Sequence, residues 1–187
     1  MLTTKKIEQN KTTFIETNEK YGIMTKELLD FLGEDLFIAP STSSLNMTGS
    51  YPGGLLQITI RACKYAIMTN EILPTNLKHP IESIVKTVFL SQIGKVFMFR
   101  LTENESLKKK GQLYEFSDDL IRLRVGERSV YYALQHGVTL TEEEFQAIIN
   151  YDKDDDDKMA KYYSSSLSSI IRWGFEIAVM EEKNEKK

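Results

Sequence analysis

A chain of 187 residues, 41% apolar and 27% charged, is long enough for one domain with a sizeable core. Its net charge of −3 supplies no overall basic field for nucleic acid, and its single cysteine, Cys63, excludes an internal disulfide. No apolar run approaches the ~20 residues of a bilayer span and no signal peptide is expected, so the reading is a reducing compartment: the cytoplasm of the producing cell, or a virion assembled there.

Helical periodicity dominates and β signals are sparse. Residues 1–24 are polar and read as a mobile or helical N-terminal segment, loosely docked; Thr25 to Leu32 forms a short helix. Pro52 precedes a helix from Gly53 to Ile72, whose Leu56, Ile60, Cys63 and Ile67 recur at three- and four-residue steps as one buried stripe, and Pro74 ends it. Pro80 opens a second helix with a broad apolar face of Ile81, Ile84, Val85, Val88, Phe89 and Ile93, expected to be the central one, with Gly94 near its exit.

Residues 96–116 are irregular, with Val96 to Phe99 extended and pairing with Gly111 to Phe116 as a short hairpin. A helix follows over 124–136. Thr141 then caps another, whose first-turn acids Glu142, Glu143 and Glu144 suit the dipole and whose Phe145, Ile148 and Ile149 point inward. The acidic run Asp152 to Asp157 reads as a solvated loop; it lacks the glycine and glutamate of a calcium loop. A long helix runs from Met159 to Glu182. The expected organisation is a polar segment 1–24, a helical domain 25–182 and a charged tail 183–187: an all-α bundle with a short β-hairpin around 96–116.

Five fragments occur in order: Phe37-Ile38-Ala39-Pro40-Ser41-Thr42, Tyr51-Pro52-Gly53-Gly54-Leu55-Leu56, Ile93-Gly94-Lys95, Gly126-Glu127-Arg128-Ser129-Val130, and Leu140-Thr141-Glu142-Glu143-Glu144-Phe145-Gln146-Ala147-Ile148. Together, over residues 37–178, they resemble the HD-domain phosphohydrolases of bacteria and their phages. The resemblance implies an HD-domain-like helical bundle whose central pocket holds divalent metals that activate water for attack at phosphorus. Carried over one position at a time, the family's metal ligands fall on Thr48, Ile58, Ser91, Gln92, Val125, Tyr151 and Gly174. Ile58 and Val125 offer no donor, and Ser91 and Gln92 are neutral oxygen ligands at best, so the resemblance implies a fold kept without its metal site or any cofactor.

Lys95 falls where the family places a phosphate-contacting lysine; a helix-end cation favoured by the macrodipole is the plainer reading. Arg128, Arg61 and Arg172 are further candidate anion contacts, and Gly53-Gly54 could present backbone N–H groups. Glu127 reads as a helix-start acid. His79, before Pro80, reads as exposed, His136 as a helix-end residue, and Cys63 as core. One of each doubled tyrosine, Tyr131-Tyr132 and Tyr162-Tyr163, and Trp173 are candidates for an interface. Three functions follow in order: a catalytically inactive HD-fold module that binds a protein partner or forms a homo-oligomer, of phage or mobile-element type; a metal-independent binder of a nucleotide or other phosphorylated small molecule; and a residual phosphohydrolase.

Overall fold

The computed structural model describes residues 2–44, 46–152 and 164–185. It is mostly helical, with one small two-stranded antiparallel sheet among the described residues. The first helix, α1 (Thr4–Tyr21), starts where the Thr3 hydroxyl accepts from the Lys6 amide at 3.2 Å and stops at Gly22, which takes the left-handed conformation with φ 58°. This segment is helical and packs against the bundle. Phe14 is 1% exposed, with its ring 5.4 Å from Phe89 and 5.9 Å from Phe37, and Asn10 Nδ2 donates to Gln57 Oε1 at 2.8 Å.

Two short helices, α2 (Lys26–Leu32) and α3 (Asp35–Ile38), lead to α4 (Gly54–Ile72). The buried stripe of α4 differs from the expected one: Leu55, Ile58, Ala62, Cys63 and Ala66 are buried, whereas Ile60 and Ile67 are only half-buried. Small residues win the interior because another backbone approaches there. That backbone belongs to the last helix, α9 (Ser166–Glu185), which packs along α4. Opposite Ala62 and Ala66 it carries Gly174.

The next helix, α5 (Ile81–Leu90), touches α1, α4 and α9 and is the central one, with Ile84, Val85, Val88 and Leu90 all at most 1% exposed. Its first residue, Ile81, is 41% exposed and lies outside that face. A 3-10 turn over Ile93–Lys95 carries the chain to the hairpin. The expected hairpin is present, with its first strand later than expected: β1 (Phe99–Leu101) pairs with β2 (Tyr114–Phe116), Phe99 opposite Phe116 and Leu101 opposite Tyr114. Val96 to Met98 are used up by the turn, whose amides bond back to carbonyls three residues earlier. Between the strands lies α6 (Glu105–Lys109), capped by Asn104.

Two further helices, α7 (Val125–Gln135) and α8 (Glu142–Asn150), complete the bundle, and both also touch α5. Thr141 caps α8 as expected, its hydroxyl accepting from the Glu144 amide at 3.2 Å. Phe145, expected inward, is 41% exposed; Ala147 and Ile148 fill the core instead, and Ile149 is half-buried. Residues 153–157 of the acidic run, the expected helix start at Met159, Tyr162-Tyr163 and the tail's Lys186-Lys187 lie outside the described residues. No helix among the described residues is long and apolar enough to cross a membrane.

Candidate functional site

The residues at the exit of α5 form a buried polar knot. Ser91 Oγ turns back to donate to the Val88 carbonyl at 2.8 Å. Gln92 Nε2 then donates to Ser91 Oγ at 3.2 Å and to the Tyr151 hydroxyl at 2.7 Å. Ser91, Gln92 and Tyr151 are all buried, and burial raises the Tyr151 phenol well above its ordinary value. The Tyr151 carbonyl accepts from Arg172 Nε at 3.1 Å, which ties the end of α8 to α9. Three of the seven ligand-equivalent positions thus meet, but as a closed hydrogen-bonded set.

Gln92 also borders a cavity of about 10 Å³ walled by Leu55, Leu56, Thr59, Phe89 and Ile93. That is room for one water at most, far less than a substrate needs. Thr59 turns its hydroxyl away to the Leu55 carbonyl at 2.7 Å.

The other ligand-equivalent positions serve packing elsewhere. Thr48 is buried beside Gly49, and a Cβ on Gly49 would touch Ser41 at 2.6 Å and Ile58 Cγ1 at 3.4 Å. Ile58 is 3% exposed and belongs to this contact. The Val125 carbonyl lies against Gly94, whose amide donates to Ser129 Oγ at 2.9 Å while that hydroxyl donates to the Ser91 carbonyl at 3.0 Å. Gly174 lies against α4. Among the described residues no cluster of three or more His, Cys, Asp or Glu side chains is placed to hold a metal ion.

The candidate anion contacts do not converge. Arg61 pairs with Glu185 at 2.7 Å and Glu181 at 3.6 Å, at the far end of α9. Arg128, 5% exposed, donates from Nη2 to the Ile121 carbonyl at 2.5 Å, and its Nη1 has no partner among the described residues. Arg172 is held on Tyr151. Lys95 is half-buried and its ammonium forms no hydrogen bond or ion pair among the described residues. Desolvation lowers its pKa to about 8, opposed by the Asp152 carboxylate.

The glycine amides at the α4 N-terminus are already taken: Gly53 N–H donates to the Ile38 carbonyl at 2.9 Å and Gly54 to Tyr51 at 2.9 Å, and Leu55 donates to Ala39 at 3.0 Å. Carbonyls therefore occupy the donors that the Gly53-Gly54 reading would offer to an anion. Glu127 accepts from the Arg124 amide at 3.0 Å, a helix-start role. His79, expected to be exposed, is half-buried: Nε2 lies 2.8 Å from Ser166 Oγ, and Asn70 brackets its backbone at 2.9 and 3.0 Å. His136 stacks on Phe31 with ring centroids 4.2 Å apart. Burial pushes the Cys63 thiol up to about 12, so it stays an inert core thiol.

Sequence reasoning missed Glu182. It is 3% exposed, yet its carboxylate accepts from the Gly49 amide and the Tyr51 hydroxyl, both at 3.0 Å, fixing the 41–52 loop to α9. Nothing in the charged run Glu181 to Lys187 distinguishes it. Of the interface candidates, Tyr131 is 56% and Trp173 43% exposed, whereas Tyr132 is 9% exposed. No family model, curated protein or solved structure matches the chain.

Proposed function

We propose that this chain is a catalytically inactive relative of the HD-domain phosphohydrolases that works as a protein-interaction module. The observation that carries the reading is the Ser91–Gln92–Tyr151 knot. Side chains that would stand in for metal ligands instead satisfy one another, beside a cavity too small for a phosphorylated substrate. The interaction half draws on exposed apolar residues at and after the hairpin: Leu101 is 68%, Phe116 63% and Ile121 81% exposed. Apolar residues concentrated in this way mark a contact surface more often than isolated ones do. The phage or mobile-element setting rests on the HD resemblance.

Metal analysis after incubation with manganese, with phosphodiesterase and phosphatase assays on the same sample, tests the inactive half. The expected result is metal far below one ion per chain and no hydrolysis above that of Lys95→Ala. Stoichiometric metal, or hydrolysis lost in Gln92→Ala, overturns it.

The desolvated ammonium of Lys95, which makes no hydrogen bond or ion pair among the described residues, favours a second reading, a binder of phosphorylated small molecules. Inorganic phosphate and a panel of nucleotides should then raise the melting temperature of the wild type and not of Lys95→Ala. No shift across the panel removes this reading.

A further inference from the structure

The hairpin has one satisfied side and one open side. Thr102 N–H donates to the Leu113 carbonyl and Ser117 N–H to the Met98 carbonyl, both at 2.9 Å. With Arg100 opposite Glu115, the antiparallel alternation makes 98/117, 100/115 and 102/113 the hydrogen-bonded pairs. The backbone groups of Phe99 and Leu101 therefore point away from β2, and they have no backbone partner among the described residues. The opposite edge is partly blocked, because Gln112 Nε2 donates to the Tyr114 carbonyl at 2.9 Å.

Side chains reinforce the asymmetry. Phe99, Leu101, Tyr114 and Phe116 share one face of the ribbon, with the Phe99 and Phe116 ring centroids 5.0 Å apart. Arg100 and Glu115 share the other face and pair at 3.2 Å, with Asp118 a further 2.8 Å partner of Arg100. Leu101 is two-thirds exposed on the apolar face.

We infer that the β1 edge pairs with the β1 edge of a second copy of this chain, giving a four-stranded sheet across a two-fold axis at Arg100. This inference rests on the reading of the protein as an interaction module. About that axis Phe99 of one copy faces Leu101 of the other, and both are residues whose N–H and C=O point outward. Two fully hydrogen-bonded pairs form, and all four open groups of each edge are used. The apolar faces become continuous, with Phe99 packed on the other copy's Leu101. The two Arg100 side chains meet on the opposite face, where each already has two carboxylates, so like charge does not block the approach. Pairing through β2 would set Glu115 against Glu115 and displace the Gln112 contact. A second copy fits the β1 edge because a C2 interface must be self-complementary, and this register is.

The test is sedimentation of the full chain over a concentration series, with Leu101→Pro and Leu101→Lys. Leu101→Pro removes an N–H that the hairpin's own ladder does not use, so the fold survives while pairing is lost. Leu101→Lys leaves the backbone alone and removes the apolar contact. The wild type is expected to dimerise and both variants to remain monomeric with unchanged circular dichroism. An equal mixture of Phe99→Cys and Leu101→Cys chains should oxidise to the mixed disulfide in preference to either homodimer. A wild-type monomer at all concentrations, or a dimer indifferent to both Leu101 variants, overturns the pairing, whether the edge then takes another protein's strand or stays open. Bound metal or hydrolysis in the assays above would instead overturn the inactive-module reading and leave a measured dimer standing.

Discussion

Gly174 stands so close to α4 that a Cβ on it would lie 2.7 Å from the Ala62 carbonyl oxygen and 3.0 Å from the Ala66 Cβ. The position that the HD resemblance assigns to a metal-binding aspartate is thus a point of close approach between two helix backbones. Overpacking costs about 1–3 kcal/mol and alanine returns about 1 kcal/mol of helix propensity relative to glycine. Gly174→Ala is expected to destabilise, and Gly174→Asp, which also buries a charge, to destabilise further. Urea denaturation at neutral pH checks the order wild type, Ala, Asp.

Tyr151→Phe deletes the acceptor that Gln92 Nε2 holds at 2.7 Å and leaves a buried amide with the longer Ser91 contact alone. The expected loss is about 1–3 kcal/mol, the range for a buried donor deprived of its partner. Adding Gln92→Leu should recover part of that loss, since removing both partners leaves no unsatisfied group. A double-mutant cycle by urea denaturation measures this; strict additivity of the two losses would show that the knot holds nothing together.

Glu182→Ala strips the acceptor from both the Gly49 amide and the Tyr51 hydroxyl. Each bond to a charged group is worth about 1.5–3 kcal/mol. Loss of protection at the Gly49 amide in hydrogen exchange, before any loss in the α5 core, is the expected signature. Glu182→Gln keeps one acceptor oxygen and should fall between wild type and Ala.

Lys95 makes stability rise with pH over a defined window. Its folded pKa is lowered to about 8 from 10.5, so between these values the unfolded chain binds more protons than the folded one. Stability therefore increases as pH climbs from about 8 towards 10.5 on this account. Tyr51 and Tyr151, both raised chiefly by burial, oppose it once unfolded tyrosines ionise near pH 10. Lys95→Met should be more stable than wild type at neutral pH, with the difference shrinking across that window. Parallel urea titrations of the two proteins isolate the lysine; a pH-independent difference would count against its desolvation.

Helix boundaries were legible where the signal is local. Thr25 and Thr141 cap the helices they precede, and Pro80 stands at the start of α5, because each acts within one turn of its own position. Packing was less legible. Ile60 and Ile67 looked like core by hydrophobicity, yet the interior of α4 goes to Ala62 and Ala66 because α9 needs close approach there. Phe145 lost its expected place to Ala147 for a similar reason: Gly126 of α7 lies against the Ile148 backbone and leaves little depth. The ligand-equivalent positions could be enumerated from the HD resemblance. That Gln92 and Tyr151 bond to one another could not, since 59 residues separate them.

The close seam between α4 and α9 also bears on how the protein is made. The helix that covers Ala62 and Ala66 begins only at Ser166, so a nascent chain exposes that small-residue face until much of the rest has been synthesised. Cooperative burial must wait for those late contacts. Expression of chains stopped before α9 should therefore yield aggregation-prone or chaperone-bound product, and slowing translation should do little to help the core close early.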